Sequence, residues 1–205
     1  MKKVLCRCGE PAYFNSITNE WELCSKCKRA VRGVNEVLRD IGFGKKYISA
    51  TLDDFSSSFC NTLLKDTDTF KNNLLLSGDS SVGKTHLMAS IADYLLCGSV
   101  NPFEIRYVNM VDLCLRIGAD ITELNGIVND CSTCKYLFLD EIVPVKTQWE
   151  ERMIYMILET RRNEELVTIS ATNCAVDKID GRIKSRLLDN NGVNYNLTRN
   201  VWRKK

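Results

Sequence analysis

Apolar runs separated by helical patterns organise most of this chain. Four of the runs have the length and composition of buried strands. They occupy residues 74–76, 105–108, 136–139 and 166–171. After the first run, apolar residues recur at helical spacing over residues 87–96. Strands that alternate with helices predict an α/β domain with three layers and a parallel sheet.

Further helices are predicted outside these strands. They lie within residues 35–42, 56–70, 111–117, 121–128 and 181–188. The pattern divides the chain into an N-terminal segment of residues 1–34, a linker of residues 35–55 and an α/β core of residues 56–205.

A glycine-rich loop with the pattern G-x-x-x-x-G-K-T joins the first strand to the first long helix. The predicted phosphate-binding set comprises Gly78, Asp79, Ser80, Ser81, Val82, Gly83, Lys84, Thr85 and the following His86. A strand, a glycine loop and a helix in this order predict binding of a nucleoside triphosphate, because backbone N–H groups and the helix N-terminus attract phosphates. Lys84 is expected to reach the β- and γ-phosphates, and the Thr85 hydroxyl to bind Mg²⁺. An ordinary glycine turn with an exposed Lys–Thr pair is the alternative.

Polar residues follow two of the other predicted strands. Asp140 and Glu141 come directly after the strand at residues 136–139, and Asn173 follows the strand at residues 166–171. The first carboxylate is expected to hold Mg²⁺ and the second to activate water for attack on the γ-phosphate. Asn173 is expected beside the nucleotide, because ligands of open parallel sheets bind at the carboxyl ends of strands. The alternatives are an ordinary acidic loop for the carboxylates and a turn for Asn173.

Two arginines mark the short helix near the end of the chain. Arg182 and Arg186 are four residues apart, so they lie on one face of a helix. Taken alone, such a pair is typical of a solvated basic helix.

The N-terminal segment contains two closely spaced cysteine pairs. Cys6 and Cys8 form a C-x-C pair, and Cys24 and Cys27 form a C-x-x-C pair. This spacing predicts a four-cysteine Zn²⁺ site, in which each pair supplies two tetrahedral ligands. The site would be structural, since four thiolates leave no position open for catalysis. Four reduced cysteines without a metal are the alternative.

The N-terminal segment is also more basic than the rest of the chain. Residues 1–33 contain seven basic and three acidic residues, while the formal net charge of the whole chain is +2. Tyr13, Phe14 and Trp21 lie among these basic residues, and basic groups beside aromatic rings suit single-stranded DNA. Docking of another protein is the second interpretation of this segment, and the two can coexist.

The sequence also indicates where the protein works. No apolar stretch of a signal peptide follows the first three residues, and no apolar run is long enough to span a membrane. We therefore expect a cytoplasmic protein with no membrane partner, in the host cytoplasm if a phage encodes it. In such a reducing setting the remaining cysteines are expected to be free thiols.

The order of these motifs resembles that of an AAA+ ATPase. From about residue 45 onward, the chain is more narrowly similar to the DnaC/DnaI-type replicative helicase loaders, with the IstB-like transposition helper ATPases as close relatives. The resemblance is carried by residues 46–55, 73–78, 148–162 and 169–173. It implies a P-loop core with a three-layer parallel sheet, ATP and Mg²⁺ as cofactors, and ATP hydrolysis as the activity.

The resemblance implies roles for individual residues as well. Asp140 would hold Mg²⁺, Glu141 would be the base that activates water, and Asn173 would sense the γ-phosphate. Arg186 would be an arginine finger that enters the ATP site of a neighbouring subunit, with Arg182 as the alternative. Self-association through the ATP site is therefore expected.

Some features depart from the family pattern. Residues 79–81 read Asp-Ser-Ser where relatives usually carry prolines and glycine, and Leu-Asp-Glu stands where many loaders have two aspartates. Only 19 residues follow Arg186, too few for the helical lid common in AAA+ proteins, and helicase loaders are similarly shortened. The choice of a second sensor residue stays open between Arg199 and Arg203.

The expected function is ATP-dependent loading of a hexameric replicative helicase in the initiation of DNA replication, with contacts to single-stranded DNA. One alternative is an IstB-like transposition helper, which uses the same core to mark target DNA. The other is a non-hydrolysing, zinc-bearing adaptor that uses ATP as a structural switch.

Overall fold

The structure is a computed structural model. It describes residues 13–15, 20–22, 33–98, 100–116, 121–144, 147–189 and 191–202. The predicted zinc ligands Cys6, Cys8, Cys24 and Cys27 lie outside the described residues. Between the two cysteine pairs, strands β1 (Tyr13–Asn15) and β2 (Glu20–Glu22) form an antiparallel pair.

From residue 33 onward, helices alternate with strands. The helices are α1 (Val34–Ile41), α2 (Ser57–Asp66), α3 (Lys84–Cys97), α4 (Met110–Arg116), α5 (Ile121–Thr133), α6 (Gln148–Asn163) and α7 (Gly181–Leu187). The strands are β3 (Leu74–Ser77), β4 (Ile105–Asn109), β5 (Tyr136–Ile142), β6 (Val167–Thr172) and β7 (Val193–Asn196). None of the helices in this described part of the chain is long and apolar enough to cross a membrane.

The five strands form one parallel sheet in the order β4-β5-β6-β3-β7. Its parallel pairing and its alternation with helices confirm the predicted fold class. All five strands end at the same edge of the sheet, which gathers the residues that follow them. Strand β7, which the sequence pattern did not predict, pairs with β3 in a register that sets Ser77 opposite Asn196.

Two apolar clusters cover the two faces of the sheet. The first includes Leu74, Leu76 and Phe138 from the sheet and the buried side of α3. The second includes Leu75 and Leu137, packed with the buried residues of α6 and α7. Neighbouring strand residues therefore point to opposite layers, as the pleat of a strand requires. The result is the expected arrangement of helices on both faces.

The segment predicted as a linker also contributes to the first cluster. Val34, Leu38, Phe43 and Phe55 are each 2% exposed or less. Helix α1 ends at Gly42, whose φ of 119° lies in the left-handed region that favours glycine. The chain then turns onto the core, so residues 34–55 are packed against the α/β unit. The predicted boundaries of the three segments stay a prediction.

One charged side chain holds helices and sheet together from inside. Arg161 of α6 is 1% exposed. Its guanidinium donates to the carbonyls of Cys131 and Cys134 at the end of α5, both at 2.7 Å. It also donates to the Val167 carbonyl at 2.5 Å and to Thr168 Oγ1 at 2.9 Å, both on β6. Arg161 thus satisfies buried acceptors on two neighbouring elements.

We expect Arg161→Met to lower the free energy of unfolding by about 3 kcal/mol or more, because each buried acceptor left unpaired costs roughly 1–3 kcal/mol. The adjacent Arg162 is the matched control. Its half-exposed side chain makes an ion pair with Asp189, and Arg162→Met should cost about 1 kcal/mol or less. Urea unfolding of the two variants measures both values, and equal losses would contradict this role for Arg161.

Candidate functional site

The glycine-rich loop lies between the end of β3 and the start of α3. Gly78 and Gly83 have φ of 135° and 106°, so both adopt the left-handed region. Helix α3 begins directly after Gly83, and its first N–H groups face the loop. Lys84 is 7% exposed and its ammonium donates to the carbonyls of Gly78 and Asp79, each at 2.7 Å. The loop is therefore curled around its lysine.

The end of β5 meets the start of α3 through a carboxylate. Asp140 is 3% exposed, and its Oδ2 accepts from Thr85 Oγ1 at 2.7 Å. The same oxygen accepts from the Tyr107 hydroxyl at 3.0 Å, and Oδ1 accepts from the backbone N–H of Glu141 at 2.9 Å. The two residues predicted to bind Mg²⁺ are thus in direct contact.

Glu141 lies at an irregularity in the sheet. The register between β5 and β6 shifts between Leu139 and Ile142, and Glu141 has a φ of 56°. Positive φ is costly for a residue with a side chain and often occurs at functional sites. Asn109, at the end of β4, donates to Glu141 Oε2 at 2.9 Å. The two adjacent carboxylates therefore have different hydrogen-bond partners, although both belong to the last residues of β5.

Asn173 follows β6, the strand that lies between β5 and β3 in the sheet. With Gly78, Asp79 and Asn196 it lines a cleft of about 360 Å³. The adjacent cleft, of about 500 Å³, lies between the glycine loop and the C-terminal tail and includes Arg199. Of the two candidates for a second sensor, Arg199 is therefore close to the loop, whereas Arg203 lies outside the described residues.

The arginines of α7 make ion pairs within the chain. Arg186 pairs with Glu159 of α6, and its guanidinium lies 5.5 Å from the centre of the Tyr155 ring. Arg182, whose side chain is 68% exposed, pairs with Glu151. Both are thus held against α6, and Arg186 is the less exposed of the two.

The C-terminal tail packs directly on the glycine loop. Trp202 Nε1 donates to the Val82 carbonyl at 3.1 Å, and the indole stacks on Phe55 with ring centres 4.8 Å apart. A Cβ placed on Gly83 would come within 2.3 Å of the Trp202 ring. A Cβ on Gly78 would come within 2.4 Å of the Leu197 carbonyl. Both loop glycines therefore serve the packing of the tail as well as the curl of the loop.

His86 faces the segment that precedes the core. Its Nε2 lies 2.7 Å from Asp54 Oδ2, and its ring makes an edge contact with Trp202 at 4.9 Å between centres. Asp54 also accepts the backbone N–H of Thr51 at 2.9 Å. The residue after Thr85 thus joins the loop helix to residues 51–55.

Burial and neighbouring charges have opposite effects on the pKa of Lys84 but the same effect on the pKa of Tyr107. Burial lowers the pKa of Lys84, while the carboxylates of Asp140, Asp79 and Glu141 act to raise it. Burial and the charge of Asp140 raise the pKa of Tyr107, so its hydroxyl is a hydrogen-bond donor at neutral pH. A lysine, a hydroxyl and two carboxylates around a loop at a helix N-terminus fit a triphosphate with Mg²⁺.

The family follows from a comparison with models of known families. Residues 74–194, more than half of the chain, match the ATPase family associated with various cellular activities, AAA. The chain belongs to the AAA family of ATPases. The match begins at β3 and ends within β7, so it includes strands β3 to β6 and the first two residues of β7. A comparison with curated proteins gives no significant match.

Solved structures with the same fold include replication proteins. The structure of DnaI aligns with a TM-score of 0.63 and 19% identity, over 77% of this chain and 94% of that one. A DnaC helicase loader aligns with a TM-score of 0.57 and 21% identity, over 76% of this chain and 100% of that one. The replication initiator DnaA, in a structure with AMPPCP and single-stranded DNA, aligns with a TM-score of 0.60 and 18% identity. The alignment covers 78% of this chain and 53% of that one. At these identities the similarity shows a shared fold.

Three residues of the site were not predicted from the sequence. Asn109 ends a strand that pairs directly with β5, and its position after an apolar run was a usable signal. Tyr107 lies on the same strand, and its contact with Asp140 depends on the register of β4 and β5. Trp202 reaches the loop from the far end of the chain, and no local pattern marks it.

We expect Gly83→Ala to lower the free energy of unfolding of this AAA domain by about 2 kcal/mol or more, since the methyl group would overlap Trp202 and strain a left-handed backbone. The control is Gly126→Ala in α5, where a Cβ meets open space and should stabilise the helix by up to about 1 kcal/mol. Thermal and urea unfolding measure both changes. If Gly83→Ala cost no stability in a Trp202→Ala background, the contribution of backbone strain would be contradicted. If it cost no stability in the unsubstituted protein, both the overlap with Trp202 and the backbone strain would be contradicted.

Proposed function

We propose that this protein is an ATP-dependent loader of a replicative DNA helicase. The observation that supports this most is the extent of the shared fold. The alignment spans 94% of the DnaI structure and 100% of the DnaC helicase loader, but 53% of the DnaA structure. An alignment that covers nearly all of the two loader-type chains but about half of the DnaA chain favours a loader over an initiator.

The proposed ATP site uses the groups at the carboxyl edge of the sheet. Backbone N–H groups of the loop and the ammonium of Lys84 would bind the phosphates, and ATP would supply the bond that is hydrolysed. The Thr85 hydroxyl and the Asp140 carboxylate would hold Mg²⁺; their contact at 2.7 Å supports a shared role. Both oxygen groups are of the kind that Mg²⁺ prefers.

Two polar side chains would act on the γ-phosphate. Glu141 would accept a proton from the attacking water, and its hydrogen bond from Asn109 would fix the carboxylate in the resting protein. Asn173 would detect the γ-phosphate from the cleft that it shares with Gly78 and Asp79. Residues at the ends of two neighbouring strands, β5 and β6, would thus converge on one bond.

Assembly would complete the site. We propose that Arg186 enters the ATP site of a neighbouring copy, with Arg182 as the alternative. In a single chain Arg186 pairs with Glu159, so the guanidinium would have to exchange this carboxylate for phosphate oxygens. An isolated protomer would then hydrolyse ATP slowly, and nucleotide state would be tied to self-association.

The N-terminal segment would dock the partner. We propose that Cys6, Cys8, Cys24 and Cys27 bind one structural Zn²⁺ and that the resulting module binds the hexameric helicase. The basic excess of this segment supports a contact with single-stranded DNA as well. An IstB-like transposition helper and a non-hydrolysing adaptor are the competing functions.

The test of this function uses Glu141→Gln. The variant should bind ATP and hydrolyse it at least a hundredfold more slowly, because the amide cannot accept a proton from water. With ATP bound, it should capture the host's replicative helicase from a cell extract, as identified by mass spectrometry. Capture should be lost in a Cys24→Ser, Cys27→Ser variant, with loss of about one Zn²⁺ per chain.

Cys60→Ser in α2, where a hydroxyl can still donate to the Leu52 carbonyl, is the matched thiol control and should change neither zinc content nor capture. Recovery of a transposase would favour the IstB-like helper. Full ATP turnover in the absence of Glu141, or no turnover in the unsubstituted protein, would contradict the proposed ATPase mechanism.

For the arginine finger, Arg186→Ala should lower the ATPase rate by roughly 10³-fold or more and abolish ATP-dependent self-association. Arg162→Ala removes a neighbouring arginine that pairs with Asp189 at 2.8 Å and lies 3.8 Å from Glu159. It is the control and should leave both nearly unchanged. Steady-state turnover and sedimentation with and without ATP provide the readouts. If Arg182→Ala alone had these effects, the finger would be Arg182.

A further inference from the structure

We infer that Tyr107 is a positioning residue for the Asp140 carboxylate and thereby sets the affinity of the ATP site for Mg²⁺. The inference rests on the proposed function, in which Asp140 holds the ion. Sequence motifs give Tyr107 no role, because it lies on β4, a strand away from Asp140 and two residues before the strand ends.

The contact itself is specific. The Tyr107 hydroxyl donates to Asp140 Oδ2 at 3.0 Å, and Thr85 Oγ1 donates to the same oxygen at 2.7 Å. The backbone N–H of Glu141 donates to the other oxygen, Asp140 Oδ1, at 2.9 Å. Three donors from three elements therefore fix the rotation of a carboxylate that is 3% exposed. Without the Tyr107 hydroxyl, one of the two donors to Oδ2 is lost.

The ring of Tyr107 is itself held in place. Its centre lies 4.4 Å from that of Phe43, which is 2% exposed. Gly42 lies against the same residue, since a Cβ there would come within 3.5 Å of Tyr107 Cδ1. The end of α1 therefore packs on the ring and limits the positions that the hydroxyl can reach.

A donor of this kind affects metal binding because Mg²⁺ requires near-ideal geometry from its ligands. The removal of a group that orients a ligand typically costs 10- to 100-fold in metal affinity. Tyr107 would also keep Oδ2 paired and leave less freedom for the carboxylate to turn away from the ion. The effect should therefore concern Mg²⁺, and not the binding of the nucleotide without metal.

The test measures binding of a fluorescent ATP analogue to the full chain, first in EDTA and then over a Mg²⁺ titration. Tyr107→Phe should leave the affinity in EDTA unchanged and raise the Mg²⁺ concentration at half-maximal enhancement about tenfold. The matched control is Tyr195→Phe, which removes a tyrosine hydroxyl that donates to another carboxylate, Asp66. That control should keep the Mg²⁺ midpoint of the unsubstituted protein.

A double-mutant cycle separates positioning from a general packing effect. If Tyr107 acts through Asp140, Tyr107→Phe should have no further effect on the Mg²⁺ midpoint in an Asp140→Asn background. Phe43→Leu keeps the hydroxyl but loosens the ring, and should shift the midpoint in the same direction by a smaller factor. This variant also tests the inference if Tyr107→Phe unfolds.

An unchanged Mg²⁺ midpoint in Tyr107→Phe, or an equal shift in the Asp140→Asn background, would overturn the inference and leave the proposed function standing. Failure of the proposed function would be seen in the unsubstituted protein. If the unsubstituted protein bound the analogue with no enhancement by Mg²⁺, the assignment of Asp140 as the magnesium residue would fall, and the role of Tyr107 with it.

Discussion

The buried carboxylate of Asp140 is the interaction on which the candidate site depends. It is nearly inaccessible to water, so it requires hydrogen-bond donors, and these come from Thr85 of α3, Tyr107 of β4 and the adjacent backbone. The requirement joins the glycine loop to two strands across the carboxyl edge of the sheet. The same donors prearrange the groups that suit Mg²⁺, so stability and proposed function share one set of contacts.

A second constraint is the packing of the C-terminal tail on the glycine loop. The loop of a triphosphate site needs glycine where the backbone turns into the left-handed region. Here Gly78 and Gly83 also make room for Leu197 and Trp202, which approach too closely for any side chain. The tail thus packs against the loop at both glycines. This close packing holds the residues after α7 against the core.

Much of the fold was predictable because its signals are local. The apolar runs gave β3 to β6, and the glycine pattern gave the loop and the start of α3. Strand β7 was missed since its four residues, Val-Asn-Tyr-Asn, alternate without a long apolar run. The roles of Tyr107 and Trp202 arise from strand register and chain closure. Those are properties of the folded chain, and residue order alone does not contain them.

The segment before the core connects these two constraints. Phe43, at the end of α1, packs on Tyr107 and so supports Asp140 from the β4 side. Phe55 stacks on Trp202, which lies on the glycine loop. Residues 43–55 therefore contact both Tyr107, which donates to Asp140, and Trp202, which packs on the glycine loop. Because these contacts are close-packed, a shift of the segment must disturb the carboxylate, the loop or both. This gives the linker of residues 35–55 a physical route to the candidate site.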